Sequence, residues 1–121
     1  MRTHMKDKPI QCEVEDLLAL LGGRWKVLIV WRISEGTCRH GQLLRYLEGI
    51  SKKILTQRLR ELESAGILYR THFLEGKVKV VEYSLTEWGQ EVMGLINHLH
   101  EWAVARHERI RPPAPAADRL L

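Results

Sequence analysis

The sequence contains little cysteine and no long hydrophobic run. Its two cysteines, Cys12 and Cys38, match neither a CxxC pair nor a zinc-ligand spacing, so we expect free thiols, no bound metal and no cofactor. No wholly apolar run exceeds five residues, as at 27–31, whereas a membrane-spanning helix needs about 18. These absences exclude a disulfide-stapled fold and a membrane span.

The sequence also lacks a secretory signal and catalytic motifs. Its first residues, MRTHMKDKPIQCEVED, are of mixed charge and contain no apolar stretch like that of a secretory signal, so we expect a cytoplasmic protein. The sequence has no GxSxG, no HExxH and no glycine-rich phosphate loop. It therefore does not favour an enzyme.

What is present is a basic middle segment. The 121 residues carry 19 Lys and Arg against 15 Asp and Glu, a net charge of +4. Residues 37–80 hold nine bases and four acids, a net charge of +5, and the remainder has a net charge of −1. We therefore expect one surface, formed by the middle of the chain, to meet a polyanion.

Helical periodicity predicts three helices in the first half of the chain. Acidic residues followed by regularly spaced leucines indicate a helix over 13–21 that ends at Gly22. The next helix, over 24–34, is apolar on nearly all sides and should be central and buried. A third helix, over 39–47, has leucines at helical spacing despite Gly41.

A short connector, Glu48 to Ile50, joins the third helix to a fourth over 52–65. Ser51 is a good N-cap for the fourth helix, and two helices with such a short turn are typical of helix-turn-helix. The leucines that recur at i, i+4 and i+7 should dock on the core. They are Leu55, Leu59 and Leu62.

The opposite face of the fourth helix is polar and basic. It presents Lys53, Thr56, Gln57, Arg60 and Ser64. In the major groove, Arg or Lys can bond to the acceptors of guanine and Gln to adenine, so this face predicts contact with base edges. An ordinary solvated helix face is the alternative interpretation. Other basic side chains are candidates for phosphate or minor-groove contact: Arg39, Arg45, Lys77 and Lys79.

After the fourth helix the periodicity changes to that of strands. LYRTHFLEGKVKVVEYSL is rich in β-branched and aromatic residues and is broken at Glu75-Gly76, which predicts a two-stranded hairpin. Thr86 then caps a long helix that runs to about Ile110. We expect one domain over 1–111 and a flexible tail over 112–121.

Tryptophan and histidine suggest two further kinds of site, and helix geometry argues against both. His98 and His100 point about 200° apart, and His100 and His107 lie about 10 Å apart along the axis, so no metal site is expected. The four tryptophans lie in apolar helix stripes, which favours core or dimer packing over base stacking. They are Trp25, Trp31, Trp88 and Trp102.

Three blocks of sequence together resemble one family. They are GGRWKVLIVW at 22–31, GISKKILTQRLRELESAGIL at 49–68 and VEYSLTEWG at 81–89. At this spacing the chain resembles the HxlR family of bacterial transcription regulators, related to the MarR type, from Cys12 to about Ala103. The resemblance implies a mainly α fold with a β-hairpin wing (α+β), that is, a winged helix-turn-helix with a long C-terminal dimerisation helix.

The resemblance also implies a function. It implies a homodimer that binds double-stranded DNA at an imperfect palindromic operator, with the helix from Ser51 in the major groove and the hairpin as wing. A winged-helix module for protein–protein contact without DNA binding is the alternative. The residues expected on DNA are Ser51, Lys52, Lys53, Thr56, Gln57, Arg60, Arg39, Lys77 and Lys79.

The chain departs from the usual family sequence at two places. It has Arg39-His40 where Arg-Phe is usual before the third helix. It has Val78-Lys79-Val80 where Pro-Pro-Arg is usual in the wing. Lys77 and Lys79 would then supply the positive charge of the wing.

The terminal helix indicates how a dimer would form. From Trp88 to Ile110 it would be about 35 Å long, comparable to the ~34 Å between successive major grooves on one side of DNA. Its apolar stripe exceeds what one small core can cover, so a partner chain should cover the rest, with help from the first helix. The expected interface residues are Leu17, Leu21, Trp88, Leu95, Leu99 and Trp102.

Cys12 matches in position an N-terminal cysteine of the HxlR family, which the chain resembles. Some members of that family sense oxidants or electrophiles through this cysteine. Backbone N–H groups of the first helical turn favour a thiolate there, whereas Glu13, Glu15 and Asp16 disfavour it. A redox-sensing thiol and a partly buried packing residue both remain open.

Overall fold

The computed structural model describes residues 12–111. This part contains six helices: α1 (Glu13–Leu21), α2 (Lys26–Ser34), α3 (His40–Tyr46), α4 (Lys52–Ser64), α5 (Glu87–Ala105) and α6 (His107–Ile110). It contains three strands: β1 (Cys38–Arg39), β2 (Leu68–Glu75) and β3 (Val78–Leu85). The order of these elements confirms the expected winged helix-turn-helix. The predicted tail over 112–121 lies outside the described residues.

The core forms where α2, α4 and α5 meet the sheet. The three leucines of α4 are at most 1% exposed, as their spacing predicts. On α2, Ile29 and Val30 are fully buried. The prediction that α2 is buried on nearly all sides is wrong for one face, because Leu28 is 45% exposed and borders an open groove.

The sheet has three strands, one more than the sequence predicts. β2 pairs with β3 along its whole length, from Leu68 opposite Leu85 to Glu75 opposite Val78. The two-residue strand β1 pairs with the other edge of β3, with Arg39 opposite Glu82. A strand of two residues has no periodicity to detect, and it forms only because β3 offers it hydrogen bonds.

The terminal helix is shorter than expected. α5 ends at Ala105, about 28 Å from its start, and the chain leaves helical geometry at Arg106 (φ −120°, ψ 31°) before the short α6. The Arg106 guanidinium donates to the carbonyl of Trp102 (3.2 Å) and lies over the Trp102 ring. This side chain thus supplies a partner for a carbonyl at the helix end, and the predicted continuous helix of about 35 Å is wrong.

The start of α5 packs closely on the segment that follows α4. The Thr86 hydroxyl accepts a hydrogen bond from the N–H of Gly89 (2.9 Å) and donates to the carbonyl of Gly66. A Cβ atom at position 89 would lie 2.2 Å from the carbonyl oxygen of Ile67. Only glycine fits at this contact, which fixes the angle at which α5 leaves the sheet.

Gly89→Ala should therefore lower the free energy of unfolding by about 3 kcal/mol, because the backbone of α5 must move away from Ile67. Urea denaturation measures this change. Gly94→Ala is the control, since it lies in the same helix with nothing within 4 Å of the added Cβ, and it should raise stability by up to about 1 kcal/mol. Equal stability of the two variants would contradict the close contact.

Candidate nucleic-acid interface

α3 and α4 form a helix-turn-helix whose turn is set by local chemistry. Gly49 has φ 95°, a left-handed conformation that favours glycine. The Ser51 hydroxyl accepts a hydrogen bond from the N–H of Ile54 (3.1 Å) and begins α4 as predicted. Because the leucine face of α4 is buried, the opposite face points away from the protein.

That outward face carries the predicted basic and polar side chains. Lys53, Gln57, Arg60 and Ser64 are exposed and line one shallow groove along α4. Lys53, Gln57 and Arg60 make no side-chain hydrogen bond or ion pair with any residue of the described segment. Their donor and acceptor groups are therefore available to an external ligand.

Thr56 lies at the edge of that face and is half-buried. Its hydroxyl is 3.0 Å from Nε2 of His40, the first residue of α3. Sequence reasoning noted His40 only as a departure from the family pattern and assigned it no role. The signal that could have found it is its place at the start of the helix that packs on α4.

Acidic neighbours neutralise other basic residues of the middle segment. Arg58 and Lys26 both pair with Glu61, at 3.1 and 3.3 Å, and Arg70 pairs with Glu63 at 3.0 Å. Burial alone would raise the pKa of Glu61, but the hydrogen bond and charge of Lys26 and the charge of Arg58 lower it overall. Within residues 37–80, the exposed cations without an ion pair include Lys53 and Arg60 on the outward face of α4 and Lys77 and Lys79 on the wing, besides Arg45 and Lys52.

Arg39 is held at the wing by two carboxylates. Its guanidinium donates to both carboxylate oxygens of Glu75 (2.9 and 3.4 Å) and to Glu82 (3.4 Å), and it lies over the Phe73 ring. The hydrogen bond and charge of Arg39 lower the pKa of Glu75. Arg39 therefore joins the start of α3 to the tip of the hairpin.

The wing tip itself is basic and exposed. Lys77 lies in the turn after Gly76 (φ 65°), and Lys79 follows in β3. Neither lysine forms an ion pair with another residue between 12 and 111. The structure thus places both predicted wing lysines where a polyanion could reach them.

A second exposed surface is apolar and lies on another side of the molecule. α5 buries one face, with Val92 and Ile96, and leaves a second apolar face about 100° away around the helix. The residues of this second face are 39% to 56% exposed. They are Trp88, Leu95, Leu99 and Trp102.

The second face borders a groove of about 580 Å³ between α1, α2 and α5, lined by Leu18, Leu28, Trp31 and Leu99. Of the two predicted interface residues on α1, Leu21 is 7% exposed and belongs to the protomer's own core, and Leu17 packs partly against it. Leu18 is 61% exposed instead. The outward apolar face of α1 therefore differs from the one that the sequence suggested.

The two thiols have different surroundings. Cys12 is partly exposed at the start of α1, and Cys38 is fully buried, with its Sγ 3.4 Å from the carbonyl oxygen of Gly36. Burial raises the pKa of the Cys38 thiol. Cys12 is thus the more accessible of the two.

The histidines and the helices of the described residues bear on metal binding and on membrane insertion. Within residues 12–111, no three His, Cys, Asp or Glu side chains lie together as metal ligands would. The His100 ring packs edge-on against Trp31 instead, with the ring centres 4.9 Å apart. None of the helices in the described part is both long and apolar enough to cross a lipid bilayer.

Comparison with known proteins places this architecture in a family. The HxlR-like helix-turn-helix family matches residues 20–111. The HTH-type transcriptional regulator YtcD of Bacillus subtilis is 35% identical over 106 residues, which are 88% of this chain and 83% of that protein. The redox regulator HypR in its reduced form is similar in structure, with a TM-score of 0.78 and 30% identity over 84% of this chain and 100% of that one.

The reduced form of the transcriptional regulator YodB from Bacillus subtilis has a TM-score of 0.71 and 30% identity, over 88% of this chain and 100% of that one. These matches confirm the resemblance seen in the three sequence blocks. The chain belongs to the HxlR-like helix-turn-helix family of transcriptional regulators.

Proposed function

We propose that this protein regulates transcription by binding double-stranded DNA sequence-specifically, as a homodimer on a palindromic operator. The observation that carries the proposal is the outward face of α4, where Lys53, Gln57 and Arg60 are exposed and unpaired among the described residues. These side chains match the donors and acceptors on base edges in the major groove. The names of the matched relatives, which are HTH-type and redox regulators, support it.

The basic residues around α4 would divide between base and phosphate contact. Lys77 and Lys79 at the wing are free to neutralise phosphates, and so is Lys52 at the start of α4. Arg39 is bound by Glu75 and would have to leave that carboxylate to reach DNA. We therefore assign Arg39 to holding the wing in place.

The test is selection of bound duplexes from a random library, with a footprint on the DNA that flanks this protein's own gene. Gln57→Ala and Arg60→Ala should each weaken binding to the selected duplex by about 1–3 kcal/mol, with little effect on random DNA. Lys77→Ala and Lys79→Ala should weaken binding to the selected duplex and to random DNA alike. Each should also reduce the slope of log affinity against log salt concentration by about one unit. Equal losses on both DNAs for all four variants would mean that α4 does not read sequence.

The homodimer is supported by the exposed apolar face of α5. The large side chains of Trp88, Leu95, Leu99 and Trp102 share one side of the helix, and Leu99 also lines the groove between α1, α2 and α5, so they are not scattered surface residues. A second copy of the chain would cover this face and place two copies of α4 on one side of the DNA. Burial of this apolar face would stabilise the dimer whether or not DNA is bound.

A protein–protein module without DNA binding is the second candidate function. It is favoured by the apolar groove, which another protein could fill. It leaves unexplained why the outward face of α4 and the wing both carry exposed cations without an ion pair. The two functions differ in how they respond to charge reversal on α4.

We also propose that oxidation of Cys12 regulates DNA binding. Cys12 is the more accessible thiol, and the matched structures include a redox regulator, HypR, and a diamide-treated form of YodB. Diamide takes two electrons and two protons from a pair of thiols, so that a disulfide forms and diamide becomes the hydrazine. A disulfide between the Cys12 thiols of the two protomers would link the starts of their α1 helices and change the spacing of the two copies of α4.

Mild diamide should therefore release the wild-type protein from its selected duplex, and dithiothreitol should restore binding. Cys12→Ser should stay bound under the same treatment, as followed by fluorescence anisotropy. Cys38→Ser is the matched control and should respond like wild type, because the Cys38 thiol is buried. Equal responses of the wild-type and Cys12→Ser proteins, or no response in either, would leave Cys12 with a packing role only.

A further inference from the structure

His40 is the one side chain of α3 that forms a hydrogen bond to the side chain of a candidate DNA-contacting residue within the described segment. Its Nε2 lies 3.0 Å from the hydroxyl oxygen of Thr56, within hydrogen-bond distance. Both side chains are half-buried. The contact therefore lies at the junction of the two helices of the helix-turn-helix, where it is shielded but still beside the outward face of α4.

The position of Thr56 on α4 explains why this contact matters. At about 100° per residue, Thr56 lies midway between the buried leucine face and the outward face that carries Lys53, Gln57 and Arg60. An unrestrained threonine there would exchange between rotamers and direct its hydroxyl to several places. The bond to His40 restricts the Thr56 side chain to one of them.

The imidazole also determines what the hydroxyl can offer. Burial, and secondarily the charge of Lys52, lower the pKa of His40, so the ring is mostly neutral at pH 7, with one donor nitrogen and one acceptor nitrogen. If Nε2 carries the proton, Thr56 accepts from it and keeps its own hydrogen for an external acceptor. If Nε2 is unprotonated, Thr56 donates its hydrogen to the ring and can only accept from an external donor.

We propose that His40 is a positioning residue for DNA recognition, which holds the Thr56 hydroxyl in one direction and sets whether it donates or accepts at the DNA. This rests on the proposed function of α4. His40 itself does not have to touch DNA. His40 affects only the contact between the Thr56 hydroxyl and the base pair or phosphate that it reaches. Without that hydroxyl, replacing His40 should have no effect on DNA binding.

The proposal is tested with four variants and the duplex that the wild-type protein selects from a random library. His40→Phe keeps an aromatic ring but removes the hydrogen bond, and Thr56→Val keeps the shape but removes the hydroxyl. Each should weaken binding to the selected duplex about 5-fold and change binding to a scrambled duplex less than about 2-fold. The double variant His40→Phe/Thr56→Val should bind no more weakly than Thr56→Val alone.

Rescue and spectroscopy separate positioning from a structural effect. His40→Gln, whose side-chain amide can reach the same hydroxyl, should recover binding to within about 2-fold of wild type. The imidazole ¹⁵N chemical shifts of His40 should change in Thr56→Val, because its hydrogen-bond partner is gone. His107→Phe, an exposed histidine outside α3 and α4, is the control and should bind like wild type.

Three results would overturn the proposal. They are multiplicative losses in the double variant, equal losses on the selected and scrambled duplexes, and His40 nitrogen shifts that Thr56→Val leaves unchanged. The thermal unfolding midpoint of each variant shows whether a loss comes from unfolding, and Thr56→Val remains informative if His40→Phe fails to fold. If the wild-type protein selects no duplex, the proposed function fails, whereas wild-type selection with unaffected His40 and Thr56 variants defeats only this inference.

Discussion

Replacing Lys53 and Arg60 together by glutamate should abolish specific binding, with a loss of at least about 100-fold on the selected duplex. Both side chains lie on the outward face of α4 and pair with no described residue, so the substitutions place two new negative charges against the DNA and remove two cations. Since both positions are exposed, the fold and the proposed dimer should be unaffected. Fluorescence anisotropy over a range of salt concentrations measures the loss.

The matched control for this double variant is Arg109→Glu/Arg111→Glu. It changes the net charge by the same amount, at two exposed positions beyond α5. It should retain most of the wild-type affinity, because the general field of the protein contributes less than contacts at the groove. If both double variants lost affinity equally, specific contacts on α4 would not account for the binding. If the wild-type protein bound no duplex but bound a protein partner that Lys53→Glu/Arg60→Glu also bound, the protein–protein module would be favoured.

Leu95→Glu/Leu99→Glu should convert the proposed dimer into a monomer of 14.1 kDa and weaken binding to the selected duplex by at least about 100-fold. The two leucines are 39% and 53% exposed in the single chain, so glutamate is tolerated in the protomer but would be desolvated at an interface. A monomer contacts only one half-site of the operator. In a dimer, binding at one half-site raises the effective concentration of the second α4 at the other half-site, and a monomer loses this gain. Sedimentation velocity and anisotropy on the same samples measure both effects.

Gln90→Glu/Asn97→Glu is the control for the dimer. It adds the same two negative charges to α5, on exposed positions that lie nearly opposite the apolar face around the helix. This variant should remain dimeric and bind the duplex as wild type does. The proposed interface on α5 would be contradicted if the wild-type protein sedimented only at 14.1 kDa. It would also be contradicted if Leu95→Glu/Leu99→Glu remained dimeric.

Local chemistry determined most of what the sequence predicted correctly. Ser51 caps α4 through a neighbour three residues away, and the burial of Leu55 and Leu59 follows from a repeat within one helix. The periodicity of the helix places Lys53 and Arg60 on the opposite side for the same reason. The outward face of α4, which carries the proposed function, could therefore be derived from the sequence alone.

The errors came from pairings that hydrophobic periodicity does not record. β1 exists because β3 pairs with it, more than 40 residues later in the chain. α5 ends at Ala105, where the Arg106 side chain donates to the carbonyl of Trp102 and the sequence has neither a proline nor a glycine. Neither effect leaves a periodic signal in the segment that it changes.

What the sequence by itself determined is the order of the elements, the residues on the outward face of α4 and the segment in which positive charge accumulates. The tertiary structure decided which of those charges are available. It binds Arg39 to Glu75 across 36 residues, and it sets the Thr56 hydroxyl against His40 across 16. Such pairings depend on the distances between packed elements and not on spacing along the chain, so only the folded arrangement separates the free cations from those that stabilise the fold.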